Sequence, residues 1–250
     1  MDTPYLLSAL RTQGDLLAST PVEALAEPVP TVPDWTVEDV LRHTGEVHLW
    51  VAAVLRAEPE APLKVIHRDR DMPRGPECVP AYRAALDTVL AEFDRRGLDQ
   101  PVAAMGGPKT VSWWIRRQAH EVAVHRMDVS DAISAGGGAH ASDLAPAVAA
   151  DGVDEWTTVF LPRLGRAGRF PDSLAGRTIH LHGTDTAAEW FLAFDGGSVD
   201  VTREHRKADV ALRGPAQDLL LTLWRRRPLD GLDIVGDVAV ARALLGAAAV

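Results

Sequence analysis

The stretch HEVAVHRMD, from His120 to Asp128, sets Glu121 and His125 four residues apart, with Asp128 three further on. On a helix, side chains at i and i+4 stand roughly 40° apart on one face. A carboxylate oxygen and an imidazole nitrogen in that arrangement suit zinc or a similar divalent ion. The same spacing also arises often as an ordinary surface pair contributing about 0.2–0.5 kcal/mol. The apolar residues Val111, Ile115, Val122, Val129 and Ile133 form a stripe centred roughly 100° from the pair. The pair therefore sits at the edge of the buried face, reachable from a groove between helices. A metal there needs a third ligand from a second helix. Three protein ligands leave room for a water or a sulfur, the catalytic arrangement rather than the structural one. Asp128 shares the face and is a candidate to support the histidine from outside the ligand set, an assignment that needs coordinates.

An earlier segment offers two further histidines. His43 lies roughly 90° from the middle of its own apolar stripe, and His48 nearer its centre. Periodicity does not choose between them, and burial geometry slightly favours His48, which also reads simply as a core histidine. His180 and His182 alternate on a predicted strand and read as structural.

These residues need elements to hold them. Residues 4–19 predict an amphipathic helix. After a proline-rich connection, Thr36 with Asp39 three residues on predicts a capped helix carrying His43 and His48, stopped by Pro59 and Pro62. A third helix spans about 79–96. A fourth, about 110–134, carries the opening motif and ends in a flexible GGGAH stretch, and a fifth is expected over about 142–162. Beyond Pro171 the period shortens. RTIHLHG, EWFLAFD, SVDVTRE and ADVALRG read as strands, with a hairpin turn at Asp195-Gly196-Gly197. PAQDLLLTLWRR predicts a helix, LDIVG a short strand and DVAVARALLGAAA a last helix. The pattern is a helical bundle followed by a small α+β domain, divided near 165–175 where Gly165, Gly168 and Pro171 cluster.

Composition narrows the partners. The 250 residues are 46% hydrophobic and 24% charged, ordinary for a globular protein with a sizeable core. A net charge of −9 without any basic run argues against nucleic acid and anionic membrane. No segment approaches a membrane span, and the N-terminal stretch has acidic residues and no leader-like apolar core. One cysteine, Cys78, forbids an internal disulfide and a CxxC metal site, so a reducing, cytoplasmic location is expected. Cys78 stands at a proline-flanked loop start, far in sequence from the motif, and reads as incidental.

Trp35-Thr36-Val37, His43 eight residues after the tryptophan, and Glu121-x-x-x-His125-Arg126-x-Asp128 together resemble the mycothiol-dependent maleylpyruvate isomerase family, part of the DinB-like metalloenzyme superfamily. ALRGPAQDLLLTLWRRRPLDGLDIVGD resembles that family's second domain, which is related to sterol-carrier-protein folds. The resemblance implies a DinB-like up-down four-helix bundle over residues 1–165 and a small α+β, sterol-carrier-protein-like domain over 172–250. It makes the first metal ligand His43 rather than His48, joined by Glu121 and His125, with zinc as the metal. Open metal positions would take mycothiol, or another low-molecular-weight thiol, and a small-molecule substrate. A family arginine in a Leu-Trp-Gly-Arg segment matches Arg226 of Leu223-Trp224-Arg225-Arg226, with Arg225 in the glycine's place. A second substrate arginine, from the loop after the second helix, has Arg68 and Arg70 as candidates. In the implied isomerisation a metal-activated thiolate adds to the double bond of a cis-enone acid. The new single bond rotates, and elimination returns the trans product. Arginine would hold the substrate carboxylates. The same ligands would serve a thiol S-transferase. A non-catalytic binding or interaction protein on this scaffold and a metal-dependent small-molecule hydrolase are the other expectations.

Overall fold

The structure, a computed structural model, describes residues 1–68 and 71–248. Four long helices build the N-terminal unit, Met1–Ser142: α1 (Thr3–Ala18), α2 (Val37–Arg56), α3 (Cys78–Asp94) and α4 (Val111–Ala135). Three of the four starts carry a side-chain cap. Asp2 accepts from the Tyr5 N–H at 2.9 Å to cap α1. Thr36 and Asp39 form the reciprocal capping box expected for α2. Thr110 caps α4 through the Trp113 N–H. Helix α1 packs on α3 and α4, and α2 packs on the same two, so the four enclose one core. Leu10, Leu17, Val40, Leu41, Leu86 and Ile115 lie within it at 0–1% exposure, each contributing about 1.5–3 kcal/mol by burial. At Gly14 a Cβ would stand 2.6 Å from the Leu86 side chain, so any larger residue would have to displace that buried leucine.

Between α3 and α4 lies a two-residue ladder, β1 (Pro101–Val102) with β2 (Lys109–Thr110). It was not expected, because two residues are too few to show alternation. Its hairpin fixes the entry of α4, with the Trp114 indole donating to the Ala103 carbonyl at 2.8 Å.

The second unit spans Asp143–Val250. It opens with α5 (Pro146–Glu155), a π-helical turn (Trp156–Phe160) and α6 (Leu161–Arg166) in place of one expected helix. The hydroxyls of Thr157 and Thr158 bond back to the Val153 and Asp154 carbonyls, and Pro162 supplies no N–H, so the regular ladder is interrupted here. Strands β3 (Thr178–Gly183), β4 (Glu189–Asp195), β5 (Ser198–Thr202), β6 (Val210–Gly214) and β7 (Asp233–Gly236) form one sheet in the order β5-β4-β3-β6-β7. Only β3 and β6 are parallel. Ile179, Leu181, Trp190, Leu192, Val210 and Leu212 turn to the buried face. Helices α7 (Ala216–Leu223) and α8 (Val238–Ala247) pack on β3 and β6, and α5 packs on α7.

The units divide at Ser142/Asp143, ahead of the expected 165–172 boundary. The difference has a local reason, since the segment 146–166 is tied into the sheet domain. Asp154 accepts from the Trp190 indole and from Arg203, and a Cβ on Gly165 would lie 2.3 Å from the Gly197 carbonyl. Among the described residues no helix is long and apolar enough to cross a membrane.

Candidate functional site

Helices α2 and α4 bring His43, Glu121 and His125 together. Glu121 Oε1 stands 3.3 Å from His43 Nε2 and 3.5 Å from His125 Nε2, and the imidazole centroids are 5.0 Å apart. One donor atom from each of the three lies within 4.8 Å of the others. The remaining oxygen, Oε2, is taken by Arg117, one turn earlier on α4. That ion pair turns Oε1 toward both histidines. On the far side of His125, Nδ1 is 2.9 Å from Asp128 Oδ2, and Asp128 is fully buried. An Nδ1–H donated to that carboxylate fixes the tautomer and leaves Nε2 as the free donor atom, the usual support for a metal-binding imidazole.

Trp35 walls the group. Its ring centroid lies 5.0 Å from His43 and 6.1 Å from His125, nearly parallel to the latter. The Val29 N–H donates to its carbonyl at 2.8 Å and its own N–H reaches the Val32 carbonyl, so the turn before α2 holds the indole in place. His125 is 8% exposed, while the His43 and Glu121 side chains retain 30% and 19%. The donor atoms are thus largely sheltered by protein, and His43 keeps the most exposure.

The electrostatics match this geometry. Burial pushes the Glu121 carboxyl up, but Arg117 and the two histidines outweigh it and hold it well below the usual carboxylate range. Burial likewise disfavours the imidazolium of His125, yet bonds to Asp128 and Glu121 overcome that and raise it to about 9. Two carboxylates thus stabilise a positive charge at the centre of the group. A divalent cation is the natural replacement for that proton. Two imidazole nitrogens and one carboxylate oxygen fit zinc in number and kind.

His48 takes no part. Its Nδ1 is 2.8 Å from Gln118 Oε1, its ring lies 5.6 Å from Tyr82, and complete burial pushes its pKa down to about 4. Cys78 begins α3 with no exposure, and burial pushes its thiol up to about 11, an unreactive state.

Arg226 follows α7. Its N–H donates to the Leu221 carbonyl and its Nη1 to the Trp224 carbonyl. Arg225, in the expected glycine position, adopts φ 61°, the left-handed conformation a glycine would take. The Arg68 guanidinium lies 5.9 Å over the Trp50 ring, and Arg70 falls outside the described residues. Arg117 was not anticipated, although its place four residues before Glu121 carried the signal.

Comparison with known proteins accounts for both units. Residues 6–130 match the mycothiol maleylpyruvate isomerase N-terminal domain, and residues 147–243 match the C-terminal domain of the same family. Two crystal structures of mycothiol-dependent maleylpyruvate isomerase share the fold over 94% of this chain and 93% of theirs. One, a histidine-to-alanine mutant, is 14% identical with a TM-score of 0.66, and the other is 12% identical with a TM-score of 0.65. No curated protein matches.

Proposed function

Because the chain belongs to the mycothiol-dependent maleylpyruvate isomerase family, we propose that it is a thiol-dependent metalloenzyme that isomerises a small, electrophilic unsaturated acid. The convergence of His43, Glu121 and His125 donor atoms within 4.8 Å carries this reading. In it these three residues hold a divalent cation, zinc by its donor set. Bound there, zinc would supply a low-molecular-weight thiol, mycothiol for this family, as the thiolate at neutral pH.

The chain's own residues have distinct tasks. His43 and His125 offer imidazole nitrogens from two different helices, so the bundle sets their separation. Glu121 offers one oxygen because Arg117 engages the other. Asp128 orients His125. Trp35 closes one side and keeps water from the group. Arg226 is the cation assigned to a substrate carboxylate, a role for which guanidinium offers a bidentate fork. The nucleophile is external, because Cys78 is buried and held as a thiol. In this reading a reduced thiol co-substrate goes with a reducing, cytoplasmic setting.

Conversion of maleylpyruvate by the zinc-loaded chain, with and without mycothiol, tests the reading. Catalytic turnover that requires the thiol and returns it unconsumed is expected. Arg226→Ala should slow turnover at unchanged metal content. A thiol consumed mole for mole would show S-transfer instead of isomerisation. Turnover unchanged without any thiol would remove thiol chemistry altogether and favour hydrolysis.

A further inference from the structure

The face of the C-terminal sheet opposite its core carries a second constellation, independent of the first. His180 and His182 are two apart on β3 and so point to the same side. The antiparallel register sets Glu189 of β4 directly across from His182. The loop after β5 brings His205 over the same carboxylate. Glu189 Oε2 lies 2.7 Å from His180 Nε2 and 2.7 Å from His205 Nδ1, and Oε1 lies 3.2 Å from His182 Nδ1. The three rings stand 5.0–6.0 Å apart, centroid to centroid. One ligand atom from each of the four residues lies within 4.8 Å of every other.

A carboxylate can accept three N–H bonds, so this could be a hydrogen-bonded surface network and nothing more. Two observations point past that. The His205 side chain is 74% exposed, yet its ring turns in toward Glu189. Its loop is also fixed on both flanks. Arg203 grips Asp154 through two bonds at 2.6 and 2.7 Å, and the Arg206 guanidinium sits 4.6 Å over the Phe191 ring. The fourth arm is therefore positioned, and the approach from solvent is open.

We propose that His180, His182, Glu189 and His205 form a second divalent-cation site, of the zinc class. Three nitrogens and one oxygen complete a tetrahedral set, so the site is closed and structural rather than catalytic. Its effect is to clamp the loop after β5 onto the β3–β4 hairpin.

Zinc titration of the chelator-stripped full chain tests this. The double variant His43→Ala/His125→Ala removes the other candidate ligands, so zinc it still binds belongs to the sheet. One equivalent per chain is expected there, with a zinc-dependent rise in thermal midpoint. Adding His205→Ala should weaken that binding by at least ~10-fold, the smallest loss seen even for outer partners of a metal ligand, and abolish the rise. Should the double variant fail to fold, metal analysis of the otherwise native chain serves. His182→Ala/His205→Ala should then hold one zinc fewer than the parent, whatever the parent's total. No zinc in the folded double variant, or zinc content and affinity untouched by loss of His182 and His205, would overturn the proposal.

Discussion

Glu121 shows how much a single side chain is asked to do. One oxygen is committed to Arg117 and the other faces two imidazoles at 3.3 and 3.5 Å. Asp128 does a complementary job behind His125. Asp128→Asn keeps the shape and removes the charge, so zinc affinity at the His43–Glu121–His125 group should fall about 10–100-fold. A competition titration against a chromogenic chelator reads this directly, and unchanged affinity would reduce Asp128 to a packing residue. The Glu121–His125 pair was legible from spacing alone, because i,i+4 geometry is local. The third residue was not. Periodicity put His48 nearer the core side, and the core is where the structure keeps it, bonded to Gln118. His43 stands at the edge of its stripe, where solvent reaches, and only the family pattern around Trp35 singled it out. The grouping around the β3 histidines was out of reach of the sequence for another reason. Alternation places His180 and His182 on one face, but the register that brings Glu189 across, and the loop that brings His205, are not local.

The elements that present these residues follow from local rules where the rules are strong. Thr36 and Asp39 predicted the start of α2, and the capping box is there. Helices α1 to α4 and the strands β3 to β7 fall where periodicity placed them. Two-residue strands and a π-turn leave no periodic trace, so β1, β2 and the break at Trp156–Phe160 were invisible. The boundary was misplaced for a related reason. Gly165, Gly168 and Pro171 look like a linker, but Gly165 is small because the Gly197 carbonyl lies against it. The turn after α7 gives an element-scale prediction. Arg225 at φ 61° carries a left-handed cost of about 1–2 kcal/mol. Glycine removes that cost but adds about 0.5–1 kcal/mol of chain entropy. Arg225→Gly should therefore stabilise by about 0.5–1 kcal/mol in denaturant unfolding, whereas Arg225→Ala should give no gain. A destabilised glycine variant would mean that the Arg225 side chain itself holds the turn.

At the scale of the whole molecule, composition and the change of period near Pro171 sufficed for the class, a helical bundle followed by a small sheet domain, and the family matches span both parts. Stability should carry the mark of a buried neutral histidine. Burial lowers His48 from 6.5 to about 4 in the folded chain. Between those values the unfolded chain binds a proton that the folded chain refuses, so stability falls as pH drops through that window. The loss approaches about 3 kcal/mol at the acid end. His48→Gln, which keeps a partner for Gln118, should flatten it in unfolding curves taken across that range, and an unaltered pH dependence would assign the acid lability elsewhere. The central claim, that two helices of this chain build a centre that activates an external thiol, is tested most directly by spectroscopy. In the His205→Ala background, which disables the sheet site, the chain is loaded with cobalt(II) in place of zinc and titrated with mycothiol. A sulfur-to-cobalt charge-transfer band should grow to one thiolate per chain and should be lost on adding His43→Ala/His125→Ala. A cobalt-loaded protein that shows no such band, or one that keeps it after both histidines are gone, would contradict the account.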